Sequence, residues 1–389
     1  MRPLQIIVAL LLSVTSALAD GGVSFVTVST WQEALDLAKK SGKPIFLDAY
    51  TDWCGWCKVM DKETFAKAEV AKVMNAAFVN VKMEMETGEG VDVAMKYRIS
   101  GFPTFMVFDT KGNPTYKTFG YQAPEAWLTA LQSMINPDSA MSFTGMAPGI
   151  DLPWPDWHRK AFLKSKLRTR PSPQTVGEWF NAQDDKLGEV AFGVLMRHAL
   201  PRDVEDWVLQ HEQDYIDRFG SDAAELRSGF INTALSAAIK KKDGSLLQRA
   251  KDLEPTADPA AREIRLLGMD GVYYQNTEQW NELGGIVQRF AAQPEATRYA
   301  GRINEYCWAI YEKSDDAKAI AAALAAMQSI VANADAAWEH IDTYASLLYK
   351  VRRYDDALRE AERAVRAAEA VEADFSGTVE LIEKIKAAK

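Results

Sequence analysis

Three cysteines in 389 residues are too few for a framework of structural disulfides, so the fold has to rest on a hydrophobic core rather than on covalent staples. Histidine is equally sparse: His158, His198, His211 and His340 are scattered without ligand-like pairing, which leaves a structural zinc centre short of its ligands. Positive charge is in deficit. Lys and Arg number 45 against 54 Asp and Glu, a net charge of −9, and such a chain is a poor partner for nucleic acid. Beyond the N-terminal stretch, no apolar run reaches the roughly 20 residues that a spanning helix needs.

The N-terminus carries Arg2, an apolar run from Leu4 to Val14, and Ala17-Leu18-Ala19 ahead of Asp20. That order of charge, apolar region and small residues reads as an export signal over residues 1–19. Its removal takes away Arg2 and moves the net charge to −10. The mature chain is then expected in the periplasm, less so outside the cell, without stable membrane insertion. Its length, with 48% hydrophobic and 25% charged residues, calls for two or more globular domains.

What is present is a dithiol. Cys54 and Cys57, in Trp53-Cys54-Gly55-Trp56-Cys57-Lys58, sit between a strand-like run and a helical pattern. Residues three apart on a helical turn are close enough for a disulfide, and Gly55 adds no steric load. With Cys54 at the start of the helix, unpaired N–H groups and the helix dipole favour its thiolate, the form that attacks disulfides. A static bridge across so short a loop would restrain the unfolded chain little.

The surrounding pattern is mixed α/β. Trp31, Ala34, Leu35 and Ala38 mark a helix capped by Ser29 or Thr30 and stopped at Gly42-Lys43-Pro44. Pro44 to Tyr50 reads as a strand buried on both faces, and Cys54 to Met60 as helix. Val79, Val81, Met83 and Met85 alternate with polar residues, which predicts a strand with one apolar face. A short helix from Val91 to Tyr97, strands at Phe105–Phe108 and Thr115–Phe119, and a helix through Trp127 and Leu131 follow. Residues 22–136 are thus expected as one domain, 137–174 as a Pro-rich linker and 175–389 as all helix. In the last part, Ile303, Tyr306, Cys307 and Ile310, then Ile320, Met327 and Val331, form stripes of a helical hairpin. Asp316-Ala317 and Asp356-Ala357 suggest its repetition after 40 residues, stacked as a short solenoid.

Asp48 falls inside the buried strand, where burial should raise its pKa and fit it to take the proton of Cys57; the plainer reading is a structural carboxylate at a hydrated edge. Pro103 opens a strand after Phe102. Base rates favour a trans bond there, whereas the upstream dithiol favours cis, with the backbone of Phe102 turned toward an extended substrate. Trp56 is expected to face outward as a substrate contact, the plainer alternative being an aromatic packed on its own domain; Cys307 is expected as an inert core thiol, and Trp154 and Trp157 to dock the two domains rather than bind a peptide.

These residues resemble the thioredoxin superfamily over about Val26 to Ile135, through Phe46-Leu47-Asp48, Trp53 to Lys58, Gly101-Phe102-Pro103-Thr104 and Phe119-Gly120. The resemblance implies a sheet flanked by helices, Cys54 as nucleophile, Cys57 as resolving thiol, Asp48 as buried proton acceptor and Pro103 as the cis-proline. Trp53, Gly55, Trp56 and Phe102 complete the expected substrate contacts. Trp56 stands where thioredoxins proper carry proline, and the centre looks more like exported thioredoxin-like proteins with a CGWC-type site. The C-terminal part looks like tetratricopeptide-type repeats. The expectation is an enzyme of the protein disulfide reductase or isomerase type. It needs no metal or organic cofactor, and it works on protein thiols or disulfides with a second dithiol protein as redox partner. The alternative is an adaptor or chaperone-like binder that grips a protein with its repeats and carries a sensing or vestigial dithiol.

Overall fold

The computed structural model describes residues 21–147 and 149–389; the expected export segment, residues 1–19, lies outside them. Thr30 caps the first helix through a hydrogen bond from the Glu33 N–H, and Gly42 closes it at a φ of 70°, so α1 spans Trp31–Ser41. It follows the short strand β1, Val26–Thr27. The apolar run after Pro44 forms β2, Ile45–Tyr50, with every residue but Tyr50 buried. After α2, Gly55–Met60, the helix runs on as a π-turn over Asp61–Phe65. Next come α3 (Ala68–Ala77), β3 (Val79–Glu84), α4 (Gly90–Lys96), β4 (Thr104–Phe108), β5 (Pro114–Phe119) and α5 (Pro124–Ile135).

The five strands make one sheet in the order β1-β3-β2-β4-β5. β3 runs parallel to β1 and β2, while β4 is antiparallel to β2 and β5. Alternate residues of β2 feed two cores, one on each face. Phe46 packs with Met60, Phe65, Val70, Met74 and Trp127, and Ile45, Leu47 and Ala49 pack with Trp31, Ala34, Val91 and Met95. The polar residues of β3 do not face water as the alternation suggests. Asn80 is buried, and Lys82 and Glu84 are half-buried, because β3 lies between β1 and β2 with both faces covered.

Two compact units divide the chain between Leu226 and Arg227. The stretch 137–174, read from sequence as a linker, belongs to the first and sends Ala161 and Phe162 into the core beside α1 and α4. It forms α6, Asp156–Lys160, and is followed by α7 (Pro173–Asn181) and α8 (Glu189–Arg197). Trp154 stacks on His158 at 4.8 Å, and Trp157 meets Trp179 and His198 edge-on. Both tryptophans therefore seat this stretch within the first unit.

The second unit is all helical. The stripes of Ile303, Tyr306, Cys307 and Ile310 and of Ile320, Met327 and Val331 share one core with Ile341, Tyr344, Ala361 and Leu381. Asp316 caps the helix Ala317–Val331, accepting from the N–H groups of Lys318 and Ala319. Asp356 sits inside the first turn of Tyr354–Glu369 instead, so the 40-residue match joins positions that differ in the two helices. Cys307 is a free, fully buried thiol, and burial pushes its pKa up.

Candidate redox site

The sheet carries its chemistry at the end of β2. Cys54 is the cap of α2, its Sγ accepting the Cys57 N–H at 3.0 Å, and the two sulfurs are joined in a disulfide with the Cα atoms 5.3 Å apart. Both cysteines are buried. Gly55 is exposed, with open space where a side chain would stand, so the bend itself does not demand glycine. Trp53 and Trp56 flank the pair and are 62% and 61% exposed. Trp56 stacks on Tyr121 at 5.6 Å, and Trp53 stands edge-on to Phe102 at 6.0 Å.

Phe102 precedes Pro103 through a cis peptide bond. The pairing of Thr104 with Ala49 sets Pro103 level with the last residues of β2, the same edge from which the chain turns into the dithiol. The Pro103 carbonyl accepts the Gly120 N–H at 2.8 Å.

Asp48 is 1% exposed and shares with Phe46 the face of β2 that α2 covers. Its Oδ2 meets Lys82 Nζ at 3.0 Å, while its Oδ1 has no hydrogen-bond partner among the described residues. Burial pushes its pKa up to about 6, against the pull of the Lys82 ammonium and with a further upward push from Asp61. Lys82 also pairs with Asp61 and lies over the Tyr50 ring. Burial works to lower its pKa, but the Asp48 and Asp61 carboxylates outweigh it and the net shift is upward.

Four residues at this edge escape a reading of the motif alone. Lys82 is the register partner of Asp48, a neighbour that emerges only once the strand order sets β3 beside β2. Asp61 lies on the helix that begins at the dithiol. Glu86 accepts the Trp53 indole N–H at 2.8 Å, and Arg168 pairs with Glu86. Nothing local in sequence connects Arg168 to this site.

A mixed five-stranded sheet with helices on both faces, a disulfide at a helix start and a cis-proline at the same edge define a thioredoxin-like domain. Residues 19–135 match the family described as Thioredox_DsbH, protein of unknown function, DUF255. The thiol:disulfide interchange protein DsbD of Cronobacter sakazakii is 35% identical over 103 residues, 25% of this chain and 18% of that protein. The chain thus spans less than a fifth of the length of that relative. Among solved structures, a putative disulphide-isomerase from Bacteroides thetaiotaomicron is 34% identical and covers 31% of this chain and 98% of its own, with a TM-score of 0.28. The oxidised C-terminal domain of DsbD from Neisseria meningitidis is 26% identical, covering 26% and 90%, with a TM-score of 0.24.

Proposed function

We propose that this chain is a thiol-disulfide oxidoreductase of the periplasm that acts on protein disulfides, in the reducing direction. The observation that carries the reading is the Cys54–Cys57 disulfide at the start of α2. The relatives matched over this part carry the name thiol:disulfide interchange protein, which supports the same class. In the reduced enzyme, the Cys54 thiolate attacks a client disulfide. The client bond breaks, a mixed disulfide forms, and one client sulfur leaves as thiolate. Cys57 then gives its proton to Asp48 and attacks the Cys54 sulfur, which releases the second client thiolate and closes the bridge. Two electrons pass to the client, and another dithiol protein restores them. No metal or organic cofactor enters these steps. The reducing direction is favoured because an exported chain with one further thiol, the buried Cys307, has no disulfides of its own to form.

Cys57→Ala tests the reading. The variant, expressed in cells, should accumulate mixed disulfides through Cys54 that are resolved by reductant on a gel. Recovery of the same partners with both thiols removed would instead identify a binding protein.

A further inference from the structure

Glu86 lies two residues beyond β3, is 3% exposed, and has both carboxylate oxygens engaged. Oε2 accepts the Trp53 indole N–H, and Oε1 takes the guanidinium of Arg168. Trp53 directly precedes the nucleophilic Cys54, and its ring faces Phe102 beside the cis bond. Arg168 lies outside the thioredoxin-like domain, in the stretch after α6. Its Nε donates to the Leu163 carbonyl at 3.0 Å, which fixes the guanidinium over Glu86. Arg159, on α6 itself, pairs with Asp92, and Lys164, in the same stretch as Arg168, pairs with Asp52, the residue before Trp53.

We propose that Arg168 and Glu86 are positioning residues that hold Trp53 at the rim of the dithiol, so that a segment outside the cysteine-bearing domain completes the client-binding edge. This rests on the oxidoreductase reading above. Trp53 is mostly exposed, and its hydrogen bond to a buried carboxylate is its one polar anchor. A carboxylate so buried keeps its place only while its charge is paired and bonded. Without Arg168, Glu86 turns to water and lets go of the indole. A client segment that docks between Trp53 and Phe102 then has to order the tryptophan itself, a cost that falls on binding rather than on the chemistry.

The test uses the full chain, reduced with dithiothreitol, turning over a fluorophore-labelled peptide disulfide. Arg168→Leu should raise KM several-fold while kcat stays within about twofold. Trp53→Phe keeps a ring and deletes the N–H donor; it should raise KM in the same way, and Arg168→Leu added to it should change nothing further. Arg168→Lys should recover part of the loss, because an ammonium pairs with the carboxylate but lacks the planar fork. Lys164→Ala, which removes an exposed pair that does not touch Trp53, should leave KM unchanged. Should Arg168→Leu fail to fold, Glu86→Gln and Trp53→Phe carry the comparison. Normal KM in Trp53→Phe and in whichever of Arg168→Leu and Glu86→Gln folds, beside normal wild-type turnover, overturns the inference. Wild-type chain that is reduced yet does not turn over instead overturns the oxidoreductase reading, and shows itself before any variant is made.

Discussion

Asp48 shows what one buried carboxylate costs and what it gives. Its pKa, pushed up to about 6 by burial, lies above its unfolded value, so the folded chain holds the proton more tightly than the unfolded one. The penalty for charging it is present in full above about pH 6 and fades as the pH falls toward 4. Asp48→Asn should therefore stabilise the protein at pH 7.5, by up to about 3 kcal/mol, a figure from which the Lys82 attraction is already subtracted. The gain should vanish near pH 4, which thermal melts at the two pH values will read. The same variant should slow resolution of mixed disulfides roughly ten- to hundredfold at neutral pH. Burial of Asp48 was legible in sequence because the strand around it is apolar without a break. Lys82 was not, since a lysine in an alternating strand reads as solvent-facing until the strand order places β3 beside β2.

At the scale of elements, the boundaries followed local chemistry where caps and stops were strong. Thr30 and Gly42 delimit α1, and Pro44 leads into β2. The helix α3 was missed, although Val70, Ala71 and Met74 mark its buried stripe, because Lys67 supplies no side-chain cap to announce it. The loop into α4 shows the opposite case, a constraint with no sequence signature beyond a glycine. A Cβ on Gly90 would stand 1.9 Å from the Glu84 carbonyl oxygen, so α4 starts hard against the end of β3. Gly90→Ala must push that backbone apart and should cost about 1–3 kcal/mol. A lowered denaturation midpoint with an unchanged slope will measure it. Gly55→Ala, in open space, should leave the midpoint near that of the wild type.

At the scale of the molecule, the α/β part followed by helices was legible from periodicity, but the extent of the first compact unit was not. What ties residues past α5 to the sheet is long-range: Ala161 and Phe162 pack into its core, buried ion pairs add to them, and partners far apart in sequence give no local pattern. Lys96 on α4 and Glu189 at the start of α8 form an ion pair of 2.7 Å, and their side chains are 1% and 7% exposed. Lys96 Nζ also reaches the Ala147 carbonyl, and Glu189 accepts the Ala147 N–H. Breaking one side of such a pair strands a buried charge, whereas replacing both with apolar groups removes the desolvation cost along with the attraction. Glu189→Ala in the full chain should therefore cost about 3–5 kcal/mol, and Lys96→Met with Glu189→Leu should recover most of that loss. Chemical denaturation of the three chains decides it. A double variant as unstable as the single one would mean that the contacts to Ala147, rather than the ion pair, fasten this part of the chain to the sheet.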